Sequence, residues 1–207
     1  MDQQRTDKWF TDRLGKATGS RYHDACSFTR SGESASRRNY RYQLIAERLT
    51  GVVQPTYTSS AMQWGIDNEP VARLAYEMKT GYTVQEAGFL VSEILPDAGI
   101  SPDGLIGQDG GVEIKCPEIA THIETLTKNR IPEQYIEQID GAMWVTGRKW
   151  WDFVSYDPRL PEDLQLVIIR RERNENAIQE LESNLREFLN EVDIELMRIL
   201  ELRDARV

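Results

Sequence analysis

One stretch constrains this chain more than any other. It runs Gly99-Ile100-Ser101-Pro102-Asp103-Gly104-Leu105-Ile106, then Gln108-Asp109-Gly110-Gly111, then Val112-Glu113-Ile114-Lys115-Cys116. A glycine-rich turn between two short apolar runs predicts a pair of antiparallel strands. Proline has no N–H for a ladder bond, so Pro102 predicts a bulge or bend in the first of them. Side chains alternate along a strand, which puts Glu113 and Lys115 on one face and Ile114 on the other. Asp103 on the neighbouring strand then reaches the Glu113 side, and two carboxylates and a lysine converge.

Carboxylate oxygens are hard ligands suited to Mg²⁺ or Mn²⁺. Such an ion polarises a phosphate and acidifies a bound water, and a lysine beside it can orient that water and offset transition-state charge. The set suits phosphodiester hydrolysis. The ordinary alternative is a solvent-facing hairpin in which Glu113 and Lys115 form a surface pair. An isolated Glu-x-Lys is common. An acid after proline, about ten residues upstream and separated by a glycine turn, narrows the choice towards a nuclease.

Around this centre the pattern reads as helices, then a mixed sheet with an inserted helix, then a helix. That order belongs to an α/β or α+β fold. Residues 8–28 predict a short helix, a turn at Thr18-Gly19-Ser20 and another helix. Ser34 or Ser36 caps a helix to about Leu49, stopped by Gly51. Residues 52–60 read as a loop. A long helix over 61–79 ends at Gly81, with Pro70 expected to kink or split it. Residues 82–93 look like strand material. Ile131-Pro132-Glu133 opens a helix that Gly147 ends. Residues 150–157 and 164–170 read as central strands. From about Asn176 a long helix carries Ile178, Leu181, Leu185, Phe188, Val192, Ile199 and Leu202 at heptad spacing, a stripe for packing on the domain or on another subunit. The expected organisation is a single nuclease domain over 1–207. Residues 1–80 are its mostly helical part, 82–171 the sheet with the active site, and 174–204 the terminal helix.

Composition excludes several other chemistries. Only His23 and His122 are present, which argues against a His-rich metal site or a Ser-His-Asp triad. Cys26 and Cys116 stand far apart and outside any CxxC pair, so a disulfide framework or zinc knuckle is not expected. No run approaches the ~20 apolar residues of a membrane helix. The charged start MDQQRTDKWF has no apolar signal core, so a cytoplasmic location is expected. Net charge is −9, unusual for a nucleic-acid binder. Residues 1–50, however, hold ten Arg/Lys against six Asp/Glu, a net of +4. A basic N-terminal face could track phosphates; solvated helix faces are the plainer reading.

Further motifs accompany the hairpin. They are Trp9 with Arg13-Leu14-Gly15-Lys16-Ala17-Thr18-Gly19-Ser20; Trp64-Gly65 with Glu69; Glu113-Ile114-Lys115-Cys116-Pro117; and Tyr135 and Gln138 leading into Met143-Trp144-Val145-Thr146-Gly147. In order and spacing they resemble the PD-(D/E)xK nuclease superfamily, and within it the phage lambda exonuclease or YqaJ-type viral recombinase group. The resemblance covers roughly residues 8 to 157. It implies a restriction-endonuclease-like core, with a central mixed β-sheet flanked by helices and a long C-terminal helix.

It also implies roles. Asp103 and Glu113, helped by the Ile114 carbonyl, would be direct metal ligands, and Glu69 would hold a metal or its water, with Mg²⁺ (or Mn²⁺) bound as two ions. Lys115 would position the nucleophile and Gln138 would support the site. Arg13, Ser20 and Ser101 match positions that hold a terminal 5′-phosphate, Arg30 one that contacts DNA, and Met62 an apolar wedge at the end base pair. Each has a plainer alternative: Arg13 as a surface salt bridge, Ser20 as a helix cap, Glu69 as an i,i+4 partner of Arg73. Trp150 and Trp151 read as core or interface residues, and Tyr135 fits either role. Asp140 departs from the uncharged polar residue expected on the Gln138 helix.

The function implied is a Mg²⁺-dependent 5′-to-3′ exonuclease on double-stranded DNA ends that leaves a 3′ overhang for recombination. The implied assembly is a ring, usually a trimer, and the implied partner a single-strand annealing protein. The alternatives are a restriction-type endonuclease and a non-catalytic DNA-end-binding scaffold.

Overall fold

A computed structural model describes Gln4, residues 6–54 and residues 59–206. In chain order the elements are α1 (Asp7–Arg13), β1 (Ala17–Thr18), α2 (Tyr22–Ala25), β2 (Phe28–Thr29), β3 (Gly32–Glu33), α3 (Ala35–Thr50) and α4 (Ser60–Thr80). There follow β4 (Val84–Gln85), β5 (Leu90–Val91), β6 (Ala98–Ile100), β7 (Gly104–Ile106), β8 (Gly110–Lys115), α5 (Ile119–Lys128), α6 (Ile136–Thr146), β9 (Trp150–Tyr156), β10 (Leu166–Glu172) and α7 (Glu175–Asp204). Of the loop expected over 52–60, residues 55–58 lie outside the described residues.

The central sheet has the order β10-β9-β8-β7-β4, with β8 and β9 parallel and the other neighbours antiparallel. A smaller sheet, β1-β6-β5, lies beside it. The run 99–106, expected as one bent strand, is two strands in two different sheets. Ser101-Pro102-Asp103 is the link between them, and Pro102 cannot extend either ladder. Residues 82–93 divide in the same way, β4 joining the central sheet and β5 the small one.

The turn expected over 108–111 is residues 107–109; Gly110 and Gly111 instead open β8, where they lie under two indoles. A Cβ on Gly110 would stand 2.0 Å from the Trp150 ring, and one on Gly111 2.3 Å from that of Trp151. Trp151 is fully buried, which settles it as a core residue. Trp150 is half-buried and carries the Arg170 guanidinium 3.7 Å above its ring.

Helix α4 packs on one face of the sheet through Ala72 and Tyr76, against Val112, Ile114 and Val154. Ser59 caps it and Gly81 ends it in the left-handed conformation. Pro70 neither splits nor ends it. Proline removes only the bond to the Ile66 carbonyl, and packing on the sheet holds the turns that follow. On the other side α6 and α7 join α2 and α3 around Tyr22, Tyr40, Leu44, Ile139 and Met143. The α7 stripe is buried from Ile178 to Val192, but Ile199 and Leu202 are 37% and 59% exposed, so its far end leaves the body.

Ser34, not Ser36, caps α3, accepting from the Arg37 N–H. Pro132 precedes a 3₁₀ turn over Glu133–Tyr135, and α6 starts only at Ile136. Helix α5 was not expected from sequence at all. It buries His122 and Thr125 and exposes Ile119 and Ile123, the reverse of the usual apolar pattern.

The arginines of α3 bear on the expected basic face. Arg37, with a side chain 2% exposed, pairs with Glu191; Arg41 pairs with Glu33, Glu191 and Glu195; Arg48 reaches Asp193 at 2.5 Å. These cations fasten α3 to acidic α7 instead of forming a free phosphate track. Two buried carboxylates are similarly neutralised. Asp140 receives both arms of Arg171 at 2.6 and 2.7 Å, which explains an acid at that place on α6. Asp152 accepts from the Tyr76 hydroxyl at 2.7 Å and from Arg170 at 2.8 and 2.9 Å.

Asp152→Ala is therefore expected to strand a buried tyrosine hydroxyl and a charged guanidinium. The cost should be about 3 kcal/mol, seen as a fall of about 10 °C in the thermal midpoint. A fall of under 2 °C by circular dichroism would show that the network does not hold α4 to the sheet.

Candidate active site at the strand break

Asp103 leaves the ladder just before β7, and its Oδ2 accepts the Ile114 N–H at 2.7 Å. That bond joins the two short strands across the point where their pairing ends. One residue back along β8, Glu113 is buried, its side chain 2% exposed. Its Oε1 accepts from the Lys115 ammonium at 2.5 Å and from Gln138 Nε2 at 2.6 Å. Gln138 comes from α6, so a helix on the far side of the sheet holds the carboxylate still. Lys115 Nζ also lies 5.2 Å from the centroid of the Tyr135 ring, which stacks on Phe153. Tyr135 thus forms a wall beside the lysine.

Glu69 approaches from α4. It lines a cavity of ≈ 430 Å³ together with Asp103, Ile66, Pro70 and Arg73. The Arg73 guanidinium reaches Glu69 at 3.4 Å and Glu86 at 3.1 Å. The i,i+4 pair foreseen as the plainer reading of Glu69 is present, and Glu69 faces Asp103 across the cleft as well.

Charge in this cleft is out of balance. Burial pushes the Asp103 carboxyl well above the usual carboxylate range, and the neighbouring charges of Glu113 and Glu69 push it further than Lys115 can offset. Burial works to lower the Lys115 ammonium, but Glu113 and Asp103 outweigh it and hold the pKa above the ordinary value. Lys115 is therefore a cation, not a base, at neutral pH. The Cys116 thiol is pushed up to about 12 by burial and by Glu69 and Asp103, which removes it as a nucleophile.

Three carboxylates with hard oxygen donors and a deficit of positive charge fit a divalent cation. Among the described residues no three metal-binding side chains stand gathered as a ready-made cage. Lys115 and Gln138 share one oxygen of Glu113, and Arg73 meets one of Glu69, so these contacts orient two of the three carboxylates.

A second cluster lies directly upstream. Ser101, two residues before Asp103, accepts at Oγ from Trp9 Nε1 at 2.9 Å and from Arg13 Nη1 at 2.8 Å. The Arg13 guanidinium lies 4.1 Å over the Trp9 ring, and burial draws its pKa down without removing its charge. Arg13 is not a surface salt bridge. With Ser20, Met62, Lys16 and Arg21 it lines a cavity of ≈ 350 Å³. Sequence reasoning gave Trp9 no role, although the Trp9–Arg13 spacing of one helical turn places both on the same face. Arg30 stands apart: it sits exposed in the turn between β2 and β3 and lines neither cavity. The structure does bring a serine and a histidine together, Ser155 Oγ and His122 Nδ1 at 2.8 Å. Both are fully buried and the other ring nitrogen meets the Leu164 carbonyl at 2.9 Å, so the pair is a packing contact between α5 and β9.

Fold and site together are of the PD-(D/E)xK class, in which an acid at a broken strand meets Glu-x-Lys on its neighbour. Within that class a family model described as the YqaJ-like viral recombinase domain matches residues 8–149, and the chain belongs to that family. It is 42% identical to an alkaline exonuclease, LHK-Exo, from Laribacter hongkongensis. That comparison covers 98% of this chain and 100% of the other, with a TM-score of 0.91. The same exonuclease in complex with dAMP superposes with a TM-score of 0.92 at 41% identity, with the same coverage. A phage-related exonuclease from Haemophilus somnus 129PT shares the fold, at a TM-score of 0.69 and 13% identity over 89% of this chain and 96% of that one. An uncharacterized Escherichia coli K12 protein, ExoD, is 37% identical over 70 residues, 33% of this chain and 78% of its own. Among the described residues no helix is long and apolar enough to cross a membrane.

The raised Asp103 carboxyl gives a pH prediction with a definite sign. The folded protein holds that proton more tightly than the unfolded chain, whose value is near 3.8. Stability from this group is complete below that value and is lost as pH rises through the folded pKa. Asp103→Asn can still accept the Ile114 N–H but carries no charge. Without divalent metal it should melt a few degrees above wild type at pH 8, the gap closing towards pH 4. Equal midpoints at both pH values would show that the carboxylates do not strain the metal-free fold.

Proposed function

We propose that this chain is a divalent-metal-dependent deoxyribonuclease that degrades the 5′-ended strand of linear duplex DNA and leaves a 3′ overhang for recombination. The observation that carries this reading is the distance of only two residues between Ser101, held by Trp9 and Arg13, and Asp103, bonded to β8. A pocket of arginine and hydroxyl donors, suited to a terminal phosphate, is thereby fixed to the carboxylate pair. Membership of a viral recombinase family and 42% identity to an alkaline exonuclease over almost the whole chain support a nuclease acting in recombination.

Asp103, Glu113 and the Ile114 carbonyl would hold the cation, Mg²⁺ or Mn²⁺, with Glu69 serving it directly or through water; two ions fit three carboxylates. When bound, it polarises the scissile phosphate and acidifies a water. Lys115, kept charged by its acidic neighbours, orients the attacking oxygen and stabilises developing negative charge. Gln138 fixes Glu113 in position. Ser101 accepts twice and retains its own proton to donate to a phosphate oxygen. Arg13 and Ser20 complete the pocket for the 5′ end, and Met62, half exposed on its wall, serves as the wedge at the terminal base pair. Arg30, exposed on its hairpin, contacts the duplex outside the pocket. The assembly is a trimeric ring, and the product strand passes to a single-strand annealing protein.

Linear duplexes with 5′-phosphate or 5′-hydroxyl ends, incubated with Mg²⁺ beside closed circles, test the reading. Digestion of linear DNA alone, faster from the phosphate and sparing the 3′-ended strand, is expected. Nicking of circles would replace the exonuclease by an endonuclease, and no metal-dependent digestion would leave an end-binding scaffold.

Lys115→Ala should retain DNA binding and lose about 10²–10³-fold in cleavage rate. Near-normal rates would remove it from the chemistry. Arg13→Ala should narrow the preference for phosphorylated over hydroxyl ends. An equal loss on both ends would make Arg13 structural.

A further inference from the structure

Arg73 lines the same cavity as Asp103 and Glu69 and pairs with Glu69, yet the proposed chemistry gives it no role. We propose that Arg73 is a positioning residue of the cation site: its guanidinium, anchored on Glu86, orients the Glu69 carboxylate towards Asp103. This rests on the nuclease reading of the cleft and goes beyond it.

The geometry separates the two arms. Nη1 donates to Glu86 at 3.1 Å and Nη2 to Glu69 at 3.4 Å. Glu86 is on the rim, its side chain 65% exposed, whereas the Glu69 and Arg73 side chains are 21% and 18% exposed. The shorter bond thus goes to the outer carboxylate and the longer to the inner one. The guanidinium is planar and rigid, so fixing one arm on Glu86 aims the other. The longer bond orients Glu69 while leaving it able to turn towards a cation. Partners that hold a metal-binding carboxylate in this way commonly alter affinity by 10–100-fold when removed.

The opposite sign is physically available. A cation in the cleft also repels a metal ion, so losing Arg73 could tighten binding if its charge mattered more than its geometry. A phosphate contact is the other possibility, since arginine suits bidentate phosphate recognition. The inner position of Glu69 and the commitment of both terminal nitrogens to carboxylates favour orientation.

The test uses the full chain, with DNA absent from the Mn²⁺ titrations. Mn²⁺ binding is measured by titration calorimetry for wild type, Arg73→Gln, Arg73→Lys and Glu86→Gln, with thermal midpoints confirming that each folds. Arg73→Gln should weaken Mn²⁺ about tenfold. Arg73→Lys, which keeps the charge but loses the fork, should weaken it nearly as much, and Glu86→Gln less, in the same direction. Unchanged or tighter Mn²⁺ binding in folded Arg73→Gln would overturn the proposal. So would intact Mn²⁺ binding with a loss of DNA-end affinity in EDTA, which would make Arg73 a phosphate contact. A wild-type chain that neither binds Mn²⁺ nor cuts DNA would instead sink the nuclease reading itself, and Arg73 with it.

Discussion

The hydrogen bond from the Ile114 amide to Asp103 is the contact on which the site's arrangement depends. A proline has just ended one sheet, and a new strand has yet to start in another. Without a partner at that point, two backbone ladders would end loosely beside three acidic groups. The carboxylate of Asp103 does two things: it satisfies a main-chain donor that the ladder leaves over, and it holds its own free oxygen beside Glu113. The cost is electrostatic, since burial and neighbouring acids both oppose its ionisation. A feature that strains the metal-free fold in this way is the kind expected where a ligand is to complete the structure.

Around that bond each surrounding element brings in its own side chains. The sheet carries Glu113 and Lys115, α6 brings Gln138, α4 brings Glu69, and α1 closes on Ser101 through Trp9 and Arg13. None of these helices reads as part of a site by itself. They converge because β8 is central, with β7 on one side and β9 on the other, and its two faces are covered by different helices.

Much of this was legible in the chain. The alternation around Glu113 and Lys115 and the proline before Asp103 place the candidate site with no knowledge of the rest. The cap at Ser34 and the stops at Gly51 and Gly81 mark helix ends because they act locally. What was hidden depends on distant partners. Helix α5 buries a histidine and a threonine, so its apolar pattern points to the wrong face. The strand at 99–106 divides between two sheets because of where β1, β4 and β5 lie, which local propensity does not encode. Pro70 looked like a break, but packing across the sheet face outweighs one missing helical bond. Asp140 looked anomalous until Arg171, thirty-one residues further on, supplied its partner.

The pairing of α3 with α7 changes how the protein's response to ionic strength is to be read. Salt weakens DNA binding in proportion to the cations that displace counterions from phosphate, so the slope of affinity against salt counts the side chains on the duplex. A count of basic residues in the first fifty positions would forecast a steep slope. Arg37, Arg41 and Arg48 are already neutralised by acids within the same molecule, and Arg37 is too deeply buried for mobile ions to compete well. They add nothing to that count. The protein should therefore look less salt-sensitive on DNA than its N-terminal composition implies, while the junction between its helices stays closed as salt rises.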